Sequence, residues 1–532
     1  MKKIFLFLIG GTLFFSCNKK LDVAPPNNIT DEQIQELLKN GDEATINLIL
    51  GSMANNMPRM LNFSGVNGVG SADLRYADAQ GLLVVRNIEG NDIVYGDQAI
   101  TGFGGAEYRL EDFISEPSDR NSPYWFYAWN AITTANKMLN FLDDATVGSN
   151  VKLKEFKARG LILRGYAYNY LMENYQDAYT QGGKSKLGMP LYDKYLPVQE
   201  SKARSTADET YAFIKNDLET AVQLLKDAGI GYTSNLSDFD LGVANFVLSR
   251  VYLWTGDWAK VISTTNDILA NYPTLMGQAV YGATNDGTQA NPVMRPEKNG
   301  FLNNAVNPEV IFGFPLGEAL ITHNLWMNPF AESLGGLSRG FQRIDNRLYD
   351  AIASTDFRKN SFMASEWGDY TYPTNGEIRL IPSYTNLKFA ATHGLGSDDK
   401  KNVGRTSAYY FRAAEALLMK AEAQAQNNDG DGAKATLNQL LAARTKAGSA
   451  TLTCDNYPGM AGLTPLQMVQ LQTRIELWGE GGREFFNNKR WNIPVNRATS
   501  TNHVDKSQYP VSKMTLQIPL DEIMYNDKME QN

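Results

Sequence analysis

Cysteine is almost missing. Cys17 and Cys454 are the only two in 532 residues, so no framework of several disulfides can hold this chain together. Histidine is as scarce: His323, His393 and His503 stand far apart, and none falls in the H-E-x-x-H spacing of a metalloprotease. Positive charge is also short, with a formal net charge of -8 and Lys and Arg scattered instead of gathered in runs. That leaves no basic footprint, and nucleic acid is excluded as the expected partner. Long apolar runs are absent too, save at the start, where Lys2 and Lys3 precede Ile4 to Ile9 and then Leu13-Phe14-Phe15. This run is too short to span a bilayer as a mature helix.

What is present points to a large folded body. A content of 43% hydrophobic and 20% charged residues supports an ordinary core and rules out disorder as the main state. The opening run reads as a secretory signal, and it ends at Ser16-Cys17, a small residue before cysteine as in bacterial lipoproteins. Cleavage there would make Cys17 the first residue and the site of lipidation. Several acyl chains hold firmly, since each buried methylene contributes about 0.8 kcal/mol. The expected layout is therefore a signal at 1–16, a lipidated tether at 17–30 rich in Pro and polar residues, and one domain at 31–532.

Apolar residues recur at i, i+3, i+4 and i+7 in nine stretches, predicting a mainly α fold. They run from Asp31 to Met60, Tyr124 to Leu142, Val151 to Tyr175, Thr206 to Leu225, Val243 to Trp254, Trp258 to Leu269, Ala408 to Gln426, Gly432 to Ala443 and Leu466 to Trp478. Two pairs read as helical hairpins, turning at Thr255-Gly256-Asp257 and at Asp429-Gly430-Asp431-Gly432, with small residues at the crossings as in tetratricopeptide-type repeats. Three stretches rich in Gly, Asn, Pro and Tyr, 62–123, 272–307 and 365–402, interrupt the pattern and read as long loop insertions that build a binding surface.

Taken in order, the chain resembles the SusD/RagB family from end to end. The likeness is carried by Cys17 with Leu21-Asp22; Trp129 and Asn136; Arg164-Gly165-Tyr166-Ala167-Tyr168; Gly188-Met189-Pro190-Leu191; and Gly256-Asp257-Trp258. It continues through Asn307-Pro308-Glu309; Asp356 and Arg358; Arg412 with Glu415 and Glu422; Glu476, Glu480 and Arg483; and Ile518-Pro519 with Gln531-Asn532. Gln472-Thr473 and Asn487-Asn488 depart from the usual residues of that pattern. The resemblance implies a tetratricopeptide-like scaffold of four helical hairpins with a loop-rich ligand-binding half. It further implies a surface-exposed, outer-membrane lipoprotein that binds an oligosaccharide, with peptide as the alternative cargo, and delivers it to a SusC-like TonB-dependent transporter. Neither a cofactor nor a metal is implied. A glycan-processing hydrolase and a stand-alone adhesin are the rival readings.

No family motif marks the site, so candidates come from chemistry. A sugar offers apolar faces and a rim of hydroxyls, and is met by exposed rings beside amides, carboxylates or guanidinium groups. Two segments fit: one holds Asn324 and Trp326, the other Trp367, Tyr370 and Tyr372, where the two tyrosines would share a face if extended. Tyr281 is a third candidate. Each ring has the competing role of capping the core. Asn427, Asp429, Asp431 and Gly432 match the opening of a calcium loop, but Asn438 stands where the bidentate Glu belongs, favouring a plain polar turn. Arg164, Tyr168, Glu422, Glu480 and Arg483 read as buried partners that fix the scaffold. A glycosidase would need two carboxylates at a set separation, which spacing in sequence cannot assign.

Overall fold

A computed structural model describes residues 29–62, 79–95, 105–111, 120–196, 198, 200–282, 294–315, 322–331, 336–371, 375–393 and 406–532. Twelve helices carry the argument: α1 Asp31–Asn40, α2 Glu43–Asn56, α3 Ala79–Ile88, α4 Ser122–Leu139, α5 Val151–Tyr175, α6 Ala207–Asp227, α7 Leu241–Thr255, α8 Trp258–Asn271, α9 Ala413–Gln426, α10 Gly430–Ala443, α11 Pro465–Glu476 and α12 Arg483–Trp491. Successive helices pack as an array: α4 on α5, α5 on α6, α6 on α7, α7 on α8, α8 on α9, and α9 on α10 and α11.

Local chemistry sets these boundaries. Thr206 and Glu209 form a reciprocal capping box at the start of α6, and Thr464 with Gln467 does the same for α11, where Pro465 takes the first helical position. Along α6 the buried residues Tyr211, Ile214, Leu218, Ala221 and Leu225 follow the helical repeat and face α5. Backbones come close where α5 carries glycine: a Cβ on Gly165 would lie 2.8 Å from Leu218 Cγ, and one on Gly160 would lie 3.0 Å from Leu139. The α7–α8 hairpin closes at Gly256, which is left-handed at φ 79° as a helix terminus of this type requires.

The strands are short and pair antiparallel: β1 Ile93–Val94 with β3 Arg343–Ile344, β2 Val310–Phe314 with β6 Ala408–Arg412, β4 Trp367–Thr371 with β5 Ile378–Ile381, and β7 Val495–Asn496 with β8 Gln508–Tyr509. Three sequence expectations are corrected here. The stretch from Ala408 to Gln426 is not all helix, because Ala408-Tyr409-Tyr410-Phe411-Arg412 forms β6 and α9 starts only at Ala413. Its aromatic run favours a strand, and a short apolar run has no period to tell strand from helix. Asp31 to Met60 divides at Gly41, where the Asp42 carboxylate accepts from Thr45 N and opens α2. Within 62–123 lies α3, buried nearly all round, with its polar residues Gln80, Arg86 and Asn87 turned into the protein and not to water as on a surface helix.

Candidate functional site

A charge-balanced cluster joins the helical array to the segments that follow β3. Arg358, Arg412, Arg444 and Lys388 face Asp356, Glu309, Glu476 and Glu480, all buried. Arg412 donates to Glu309 and Glu480 at 2.7 Å and to Glu476 at 2.8 Å, while Arg444 bridges Glu309 and Glu476 at 2.8 Å each. Burial alone would raise the Glu476 carboxyl, but Arg444 and Arg412 outweigh it and hold the group well below the usual range. Gln472, where the family pattern has a charge, accepts from Arg358 through its amide oxygen. Each ion thus has its partners, and removing one would leave a buried unpaired charge at a cost of roughly 3–5 kcal/mol.

Lys388 carries this anchor outward. Its ammonium donates to Glu476 O at 3.0 Å, Trp478 O at 2.9 Å and Glu480 at 2.5 Å, and burial pulls it down to about 8 against the carboxylates. Its neighbours Leu387 and Ala390 join Phe330, Leu337, Phe341, Met363 and Ile381 in a small separate core. The β4–β5 hairpin rests on that core. Trp367 meets Phe330 edge-on at 6.2 Å between centroids, and Tyr370 meets Phe341 edge-on at 5.4 Å.

Residues three apart on a regular strand point to opposite faces, yet Trp367 and Tyr370 share one. The cause is an irregularity in pairing between Trp367 and Asp369, where Gly368 takes φ 59° and shifts the strand by one residue. Both rings are half-buried, seated on the small core with part of their surface open. Arg379 pairs across from Tyr370, and its guanidinium is steadied by Glu377 at 2.6 Å. The outer face exposes Asp369, Thr371, Ile378 and Leu380. Two rings beside a guanidinium are the combination a saccharide needs. Arg379 was not among the sequence candidates, since only the cross-strand register reveals it.

The other candidates fall elsewhere. Trp326, on the one-turn helix Thr322–Met327, is 0% exposed and offers no open face. Asn324 is buried as well, its amide donating to Thr406 Oγ1 at 3.0 Å and Ser407 O at 3.1 Å. Tyr281 lies against Phe301 and Phe357 with the Arg444 guanidinium 4.9 Å from its ring, inside the core around the charge cluster. Tyr372 and Cys17 lie outside the described residues. Asp429 accepts from Gly432 N at 2.9 Å to cap α10, and Asn438 accepts from Cys454 N at 2.7 Å. Among the described residues no group of three or more His, Cys, Asp or Glu could hold a metal ion.

Arg164, Tyr168, Glu422 and Glu480 make the buried contacts expected of scaffold residues, whereas Arg483 is only partly buried and stands 3.9 Å from Glu173. Arg164 grips Asp217 with two bonds of 2.7 and 2.8 Å, Tyr168 Oη accepts from Tyr192 N at 2.7 Å, and Glu422 takes Arg490 and Trp491. A Gly-x-Ser-x-Gly spacing occurs at Gly336-Leu337-Ser338-Arg339-Gly340. It sits in a one-turn helix whose Leu337 packs in the small core, and not at the strand-to-helix turn that gives this motif its nucleophile.

Residues 284–532 match the profile of the SusD family, and residues 88–253 match a related profile described as starch-binding associating with outer membrane. No curated protein matches the chain significantly. Among solved structures, a SusD-like carbohydrate binding protein from Bacteroides vulgatus is similar at 21% identity and TM-score 0.64, over 92% of this chain and 97% of that one. A SusD superfamily protein from Bacteroides thetaiotaomicron is 18% identical with TM-score 0.66, over 91% and 98%. Surface glycan-binding protein A from Bacteroides uniformis is 17% identical with TM-score 0.62, over 94% and 99%. At these identities the likeness establishes the fold.

Proposed function

Because the chain belongs to the SusD family, we propose that it is a non-catalytic, lipid-anchored outer-membrane protein that binds an oligosaccharide and passes it to a SusC-like TonB-dependent transporter. The observation that carries the binding half is the β4–β5 hairpin, where Trp367 and Tyr370 share a partly open face beside Arg379. Rings of this kind stack on the apolar face of a pyranose, and a guanidinium donates to its hydroxyls. A non-catalytic role is supported by the carboxylates of the charge cluster, whose oxygens are taken up by arginine and lysine. Anchoring rests on Ser16-Cys17, and no helix among the described residues is long and apolar enough to cross a membrane.

Calorimetric titration with a panel of maltoheptaose, xylohexaose, laminarihexaose and mannohexaose tests the binding half. We expect Trp367→Ala and Tyr370→Ala each to weaken the best binder by on the order of 1 kcal/mol or more. Unchanged affinity in both variants would remove the hairpin from the site. The anchored-delivery half fails if intact-mass analysis finds no acyl chain on Cys17, or if no TonB-dependent transporter accompanies the protein in mild detergent.

A further inference from the structure

We propose that a pocket on the helical half is a second saccharide subsite, separate from the hairpin. It lies between α4, the loop after Leu191 and the C-terminal helix Leu520–Tyr525, and measures about 440 Å³. That is within the size of small-molecule sites. The inference rests on the reading that this chain binds glycans, and adds a place where it does so.

One face of a helix makes the floor. Trp129, Ile132, Thr133 and Asn136 fall at i, i+3, i+4 and i+7 of α4 and line the pocket together. The Trp129 ring is held by edge-on contacts with Tyr168 and Tyr192, at 5.8 and 5.5 Å between centroids. Its indole N–H is buried without a hydrogen-bond partner. That N–H is closed off from the pocket, so what Trp129 offers a ligand there is the partly open surface of its ring.

The walls are fixed before any ligand arrives. Asn136 Nδ2 donates to Tyr192 O at 2.8 Å, the Tyr192 hydroxyl donates to Glu200 O at 2.9 Å, and Asn526 Nδ2 donates to Lys202 O at 3.1 Å. Such a wall loses little freedom on binding. At the rim Tyr525 is 82% exposed, which leaves its ring free to close over a sugar. Lys194, Glu200 and Glu522 line the pocket together with the rings. A polyol with one apolar face meets both kinds of group, whereas a lipid chain or an aliphatic side chain of another protein would cover the exposed Lys194 and Glu200 without pairing them.

The test uses the full mature chain in the same four-oligosaccharide panel, with a Trp367→Ala/Tyr370→Ala background to silence the hairpin. In that background we expect residual binding of the preferred oligosaccharide, weakened about five- to tenfold further by Tyr525→Ala. Loss of all binding in the background alone would overturn the second subsite and leave the hairpin reading standing. Hairpin variants without effect, beside a strong effect of Tyr525→Ala, would do the reverse. If Tyr525→Ala spares every titration but releases an outer-membrane partner in mild detergent, the pocket is a protein contact and the proposal falls.

Discussion

At the scale of single residues, His503 shows how burial turns a titratable group into a structural one. Its Nε2–H lies 2.9 Å from Asn91 O and 3.2 Å from Asp345 Oδ2, so Nδ1 is left to accept from the Tyr108 hydroxyl. Burial holds its pKa below the ordinary value, and the nearby Arg497 adds to this against the pull of Asp345. A base with a lowered folded-state pKa binds fewer protons folded than unfolded once the pH drops below about 6.5. Stability contributed by the neutral ring is therefore present above that pH and lost progressively on acidification. We predict that denaturant midpoints measured from pH 7.5 to 5 fall more steeply for the wild type than for His503→Gln. Parallel curves would contradict this assignment. The residue scale also separates rings that look alike in sequence. Trp326 and Trp367 both stand in polar, Asn- or Asp-containing segments, yet one is sealed in the core and the other is half open. Sequence cannot make that distinction, because burial is decided by partners such as Phe330 and Phe341 that lie far along the chain.

At the scale of elements, the hairpin depends on one glycine. Gly368 at φ 59° lets Trp367 and Tyr370 face the same way, and a side chain there is strained in that conformation. We expect Gly368→Val to cost about 1–3 kcal/mol of local stability. The checks are hydrogen exchange at the amides of β4 and β5 and the titration above: exchange should rise and saccharide affinity fall while the helices stay protected. Protection unchanged in the hairpin would show that the pairing irregularity does not set its geometry. The helices were the legible part of this sequence. Val151 to Tyr175 has the same limits in sequence and structure, and the stretch read from Thr206 begins at the residue that caps α6. The hairpin was not legible as such, since 365–402 reads as polar loop and only Ile381 of β5 is fully buried. Nor was the face shared by Trp367 and Tyr370, which the alternation of a regular strand would deny.

At the scale of the whole molecule, the helical array and the loop-rich half are bound by ions, not by apolar contact alone. Glu309 precedes β2, Arg412 ends β6, Arg444 follows α10 and Glu476 ends α11, so termini of distant elements converge on one cluster. Lys388 extends that cluster to the small core under the hairpin. A rigid base of this kind suits a protein that must hold rings in place for a soft, hydrated ligand, because side chains fixed beforehand lose less freedom on binding. The central claim is that an oligosaccharide sits against the half-buried rings of this hairpin, Trp367 and Tyr370, where they remain open beside Arg379. A structure of the mature chain with the tightest-binding oligosaccharide of the panel tests it directly. The account predicts a sugar ring stacked on Trp367 or Tyr370 with a hydroxyl within hydrogen-bond reach of Arg379. A sugar bound elsewhere, with both of those rings bare, would contradict it.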